Sequence, residues 1–130
     1  MTEDKELFFK INMLDQYMKN IQQQIEAVEN EIGELNSLKK GLEELKGSSG
    51  KEIFSSIGKN IFIKTKIVSE ELLVRIGGES LVKKSIPETA RIIELQVKKL
   101  ENIREELIRE IEKLNKEAKK LLASMENKTN

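Results

Sequence analysis

The stretch EIFSSIGKNIFIKTKIVSEELLVRIGGESLVKK, Glu52–Lys84, decides the fold. Its β-branched and aromatic residues fall into four short runs, EIFSSI, NIFIKTKIV, ELLVRI and SLVKK. The breaks between them, Gly58-Lys59-Asn60, Ser69-Glu70-Glu71 and Gly77-Gly78, suit tight turns. The reading is two β-hairpins in series. In the second run Ile61, Ile63, Thr65 and Ile67 point one way and Phe62, Lys64 and Lys66 the other; in the third, Leu72, Val74 and Ile76 oppose Leu73 and Arg75. Isolated hairpins are marginal in water and leave edges unpaired. The strands are therefore expected to pair with those of other subunits, and closure into an oligomeric β-barrel would remove the edges altogether.

On the N-terminal side, GSSGKE (Gly47–Glu52) reads as a helix stop. Before it, Leu7, Ile11, Leu14, Met18, Ile21, Ile25, Val28, Ile32 and Leu35 alternate steps of four and three, the a/d seam of a coiled coil. Continuing that register puts Lys39 and Lys46 on the seam, whereas Leu38, Leu42 and Leu45 make their own apolar line, so a three-residue stammer is expected near Leu35–Leu38. Gly33 and Gly41 weaken this half of the arm. On the C-terminal side, Ser85 and Glu88 form a capping box with Pro87 in the first turn. From there Ile86, Ala90, Ile93, Val97, Leu100, Leu107, Ile111, Leu114, Ala118, Leu121 and Met125 keep the heptad, interrupted only by Arg104, whose stem can cover apolar surface. The expected fold is α+β: a long antiparallel coiled-coil hairpin carrying two central β-hairpins. Its 130 residues form one domain, with helices at 5–46 and 85–126, the assembly hairpins at 47–84 and a tail at 127–130.

Composition agrees with helices zipped along a narrow seam: aromatic content is 4% and charged content 35%. Basic and acidic residues balance at 23 each, so no global field draws nucleic acid or anionic lipid. Cysteine is absent, which excludes disulfides and fits a reducing compartment. No signal-like or membrane-spanning apolar run is present in the sequence, so a cytoplasmic, soluble protein is expected.

Histidine is absent too, so the common general bases, thiol nucleophiles and transition-metal ligands are missing; no catalytic residue, cofactor or metal is expected. GSSGK (Gly47–Lys51) lacks the spacer and the Ser/Thr of a phosphate loop and leaves a helix instead of entering one. Lys59, Lys64, Lys66 and Arg75 have no stacking aromatics in platform order and read as the wet face of a sheet.

The ends of the arms differ. In LFFKINMLDQYM (Leu7–Met18) the seam takes Ile11, Leu14 and Met18, whereas Phe8, Phe9, Met13 and Tyr17 fall at positions a facing helix cannot cover. Leu121, Leu122 and Met125 come opposite on the second arm. All four methionines and three of five aromatics lie in the distal turns at the ends of the arms, composing an adaptable apolar surface. The competing reading is a tethering coiled coil whose tip docks one folded partner; a membrane-docking tip would want a Lys/Arg-rich polar face, which is missing.

NIQQQIE (Asn20–Glu26), SIGKNIFIKTKI (Ser56–Ile67) and LLVRIGGESLVKK (Leu72–Lys84), in the order helix, four strands, helix, resemble an archaeal-type prefoldin α-class subunit. The resemblance implies an ATP-independent co-chaperone, a hexamer of two α and four β subunits that holds unfolded client and passes it to a group II chaperonin. By position it assigns client binding to Leu7, Phe8, Phe9, Ile11, Met13, Tyr17, Met18, Leu121, Leu122 and Met125. It assigns assembly to Ile53, Phe54, Ile57, Ile61, Phe62, Ile63 and Ile67 of the first hairpin and to Leu72, Leu73, Val74, Ile76, Leu81 and Val82 of the second. Ser56, where relatives often have proline, the Ser-Ile-Pro opening of the second helix, and Gly33 and Gly41 depart from the pattern.

Overall fold

The computed structural model describes residues 2–129. Their order is α1 (Thr2–Leu45), β1 (Glu52–Gly58), β2 (Ile61–Lys66), β3 (Leu72–Arg75), β4 (Leu81–Lys84) and α2 (Ile86–Thr129). The residues read as a tail from 127 onward instead continue α2 as far as Thr129, since neither Gly nor Pro interrupts them. Met1 and Asn130 lie outside the described residues. The chain divides into two compact units, residues 34–97 and residues 1–33 with 98–130.

In the unit of residues 34–97, Leu42 of α1 and Ile86, Ile93 and Val97 of α2 are buried. Leu35 shares a groove with Gln96, Lys39 pairs with Glu94, and Leu45 shares a groove with Ile86, so one helix ascends as the other descends. The expected stammer near Leu35–Leu38 is not there. Lys39 stays on the seam, half-buried, and Leu38 is exposed on the flank. The lysine keeps its place because its stem lies along the seam while its ammonium reaches Glu94 at 2.7 Å. The register departs from the heptad one repeat later, where Leu45 takes the half-buried position that Lys46 would have held.

α1 ends where Gly47 adopts φ 75°, a conformation that favours glycine, and its N–H donates to the Glu70 carboxylate. Beyond it the Gly50 N–H donates to the Ile67 carbonyl and the Ile67 N–H to the Lys51 carbonyl, which extends the first hairpin towards the helix end. β1 and β2 pair antiparallel, with a register shift between Ser56 and Gly58. Lys59 and Asn60, at φ 47° and 63°, are the two turn residues, a type I′ geometry whose twist matches the strands. β3 and β4 also pair antiparallel, Val74 opposite Val82, and form a separate two-stranded sheet. Both hairpins are thus present as read.

The Ser85 hydroxyl caps α2 by accepting the Glu88 N–H at 3.2 Å. The other half of the expected box differs: the Glu88 carboxylate accepts from the Ser85 hydroxyl, not from its backbone N–H. Thr89 adds a hydroxyl bond to the Ser85 carbonyl at 2.9 Å and is buried.

In the unit of residues 1–33 and 98–130, the seam residues from Leu7 to Ile32 and from Leu100 to Met125 are all at least half-buried, with Ile21 and Ile32 the most enclosed. Arg104 is half-buried among them, so the one charged seam position in α2 does not interrupt the stripe.

Candidate functional site

The first turns of α1 separate into two sets of side chains. Leu7, Ile11, Leu14 and Met18 are half-buried on the seam, whereas Phe8, Phe9, Met13 and Tyr17 are exposed by 60, 64, 56 and 58%. A seam facing one helix uses only the a and d positions, and these four occupy others. Phe9, Met13 and Tyr17 stand four residues apart, so they line one row of the helix with a polarisable sulfur between two rings. Phe8 lies on the other flank. On α2, Leu121 and Met125 are half-buried and Leu122 is exposed.

One feature beside this row escaped the sequence reading. Tyr17, Asn20, Ile21 and Gln24 line a groove with Leu107 and Glu110 of α2. Gln24 donates to the Asn20 carboxamide oxygen at 3.3 Å, one turn away. The amides of NIQQQ carried the signal, since they sit at spacings of three and four on a helix otherwise rich in charge.

Within the unit of residues 34–97, the strands hold the second apolar surface. Phe54 and Phe62 lie diagonally on one face of the first hairpin, beside the Lys64–Glu52 ion pair at 2.9 Å. On the other face Ile53, Ile61 and Ile63 accompany a hydrogen bond between the Ser55 and Thr65 hydroxyls at 2.7 Å. Ile57 falls at the register shift and is exposed. Ile53, Ser55, Thr65, Ile67 and Leu72 line a cup with Leu45 and Ile86 at the helix ends. In the second hairpin Leu72 and Val74 are half-buried towards the helices, whereas Leu73, Ile76, Leu81 and Val82 are exposed. Both faces of the first hairpin therefore present large apolar side chains to solvent, far more than a solvated sheet requires.

No helix among the described residues is long and apolar enough to cross a membrane, and no group of three or more acidic residues converges as a metal site. Lys39 and Glu94 are coupled electrostatically across the two helices. Their hydrogen bond holds the lysine above, and the glutamate below, its ordinary pKa.

Two long heptad-patterned helices joined by two antiparallel hairpins with exposed apolar strands define a coiled-coil class of protein. The model of the prefoldin family, described as prefoldin subunit, matches residues 14–130. The chain belongs to the prefoldin family, a family of co-chaperone subunits. It is similar to prefoldin subunit alpha of Methanobrevibacter smithii, 32% identical over 111 residues that cover 85% of this chain and 76% of that protein. It is similar also to prefoldin subunit alpha of Methanosphaera stadtmanae, 28% identical over 90 residues, 69% of this chain. That match spans 65% of the relative's length, just under two thirds. Its fold matches a chain of filamentous PFD from Methanocaldococcus jannaschii solved by cryo-electron microscopy, with TM-score 0.78, 21% identity and coverage of 87% of this chain and 95% of that one.

Proposed function

We propose that this chain is the α-class subunit of an ATP-independent holdase. It assembles with β-class subunits and a second α subunit into an α2β4 hexamer through its strands, captures unfolded polypeptide with its helix ends in the cytoplasm, and hands the client to a group II chaperonin. The observation that carries the reading is the division within one short helical stretch. Leu7, Ile11, Leu14 and Met18 serve the seam, while Phe8, Phe9, Met13 and Tyr17 stay exposed.

Covering about 100 Å² of each aromatic at roughly 25 cal/mol per Å² is worth about 2.5 kcal/mol, much of it offset by ordering the client. One end therefore holds weakly and releases without nucleotide chemistry. Retention comes from several ends engaging one chain, since linked weak sites act at high effective concentration.

The test assembles the chain with a β-class partner and follows aggregation of a denatured protein by light scattering without ATP. Wild type should suppress aggregation, and Phe8→Ser with Phe9→Ser should weaken suppression several-fold while sedimentation shows the hexamer intact. Equal suppression by the double variant would remove the assignment of these two residues. A wild type that protects no denatured client would remove the holdase reading.

A further inference from the structure

The charges of α1 between Ile11 and Asn30 are not spread around the helix. With Ile11 at heptad position a, Asp15 and Glu29 fall at e and Lys19 and Glu26 at b, all on one flank, where Lys19 and Asp15 pair at 3.1 Å. The outer and opposite positions, c, f and g, carry no charge from Met13 to Asn30: after Met13 and Tyr17 they hold Gln16, Asn20, Gln23, Gln24, Ala27 and Asn30, all exposed. In a chain that is 35% charged, an exposed face of this length with no charge needs a cause other than solubility, which charged residues serve better.

We propose that this face is a rail for the main chain of an extended, non-native polypeptide, continuing the apolar row of Phe9, Met13 and Tyr17. The inference rests on the holdase reading and deepens it by naming what is recognised. A carboxamide presents a donor and an acceptor side by side, the same pair a peptide bond presents, and it is indifferent to the charge of the client's side chains. The bond from Gln24 to the Asn20 oxygen leaves the Asn20 amide hydrogens as donors and the Gln24 oxygen as acceptor. Both side chains line the groove with Tyr17, Leu107 and Glu110, so a segment whose side chain packs on Tyr17 brings its backbone within reach of the amides, and the Glu110 carboxylate across the groove can accept from a backbone N–H as well. Charges along this face of α1 would select clients by charge; its amides bind any exposed backbone. The rail supplies binding that a client's scarce apolar side chains cannot, at weak, reversible strength.

The experiment uses the hexamer. Because the chain has no cysteine, single substitutions carry a benzophenone label cleanly. Labels at Met13→Cys and Ala27→Cys should crosslink a denatured client comparably, and a label at Glu26→Cys, on the charged flank, at a tenth of that yield or less. In parallel, a neutral unstructured peptide is compared with the same peptide N-methylated at alternate backbone amides. Wild type should bind the unmodified peptide several-fold tighter, and Asn20→Ala with Gln24→Ala should erase that preference, with helix content unchanged by circular dichroism. Crosslinking at Met13→Cys but not at Ala27→Cys, equal yields at residues 26 and 27, or a preference that survives the double variant would overturn the rail and leave the holdase reading standing. No crosslink at any position and no binding of either peptide would remove both.

Discussion

The Lys39 ammonium lies 2.7 Å from a Glu94 carboxylate oxygen, so a cation placed on the seam of α1 is held by an anion on the flank of α2. The pair fixes which turn of one helix meets which turn of the other, a registry role to which polar seam residues are suited. Both side chains keep contact with water, so the pair is a modest, salt-screened contributor to stability.

Its pH dependence has a definite sign. The lysine's pKa is raised above 10.5, so its contribution is complete at lower pH and fades as pH rises through the raised value. The glutamate's is lowered below 4.5, so its contribution is complete above that pH and fades as pH falls through the lowered value. Glu94→Gln should melt below wild type at neutral pH, and the two should converge under acid and under strong alkali. Thermal melts at three pH values and at high salt check this; a difference that persists unchanged in acid would count against the pair.

Gly33 and Gly41 are exposed, lie within α1, and have open space where a Cβ would stand. Each costs the helix about 1 kcal/mol relative to alanine. Gly33→Ala and Gly41→Ala should therefore each raise stability by about 0.5–1 kcal/mol, read from urea midpoints at fixed protein concentration. A loss of stability would show that the helix needs a bend there.

The heptads were legible because a seam is a period, and periods survive in one dimension. At Lys39 residue type does not settle position: a lysine can occupy an a site when its stem covers the seam and its head finds Glu94, a residue 55 positions away in sequence, as the numbering gives. The hairpins were legible from their turn residues, although which of Gly58, Lys59 and Asn60 would take the two left-handed turn positions was not. The exposed row at Phe9, Met13 and Tyr17 followed from the same wheel that gave the seam. The groove at Asn20 and Gln24 did not, since it depends on where Leu107 and Glu110 of the second helix stand.

The turn offers a sharper local test. Lys59 holds φ 47°, which costs a side-chain-bearing residue roughly 1 kcal/mol and a glycine little. Lys59→Gly should stabilise the first hairpin by about 0.5–1 kcal/mol, and Lys59→Val should destabilise it by more, because branching at Cβ crowds that conformation. Hydrogen exchange of the β2 amides reads both changes locally.

Ser85 is the N-cap of α2, and its hydroxyl satisfies the Glu88 N–H. Ser85→Ala should cost about 1 kcal/mol, whereas Ser85→Asp should be nearly neutral because a carboxylate can accept the same bond and favours the helix N-terminus. Urea unfolding of the two variants side by side separates the cap from any other role of the position.

The strand surface can be tested by contrast within the first hairpin and its exit. Phe54 and Phe62 share an exposed face, and Val68 is exposed by 86% but lies beyond the end of β2. If neighbouring subunits cover the strands, each phenylalanine contributes about 2–3 kcal/mol of apolar burial to assembly. Phe54→Ser with Phe62→Ser should then shift the assembly concentration upward by more than tenfold, while Val68→Ser leaves it nearly unchanged. Sedimentation velocity with the β-class partner across micromolar concentrations measures both. A double variant that assembles like wild type would place the interface on the isoleucine face, where Ile53, Ile61 and Ile63 would be the next residues to replace.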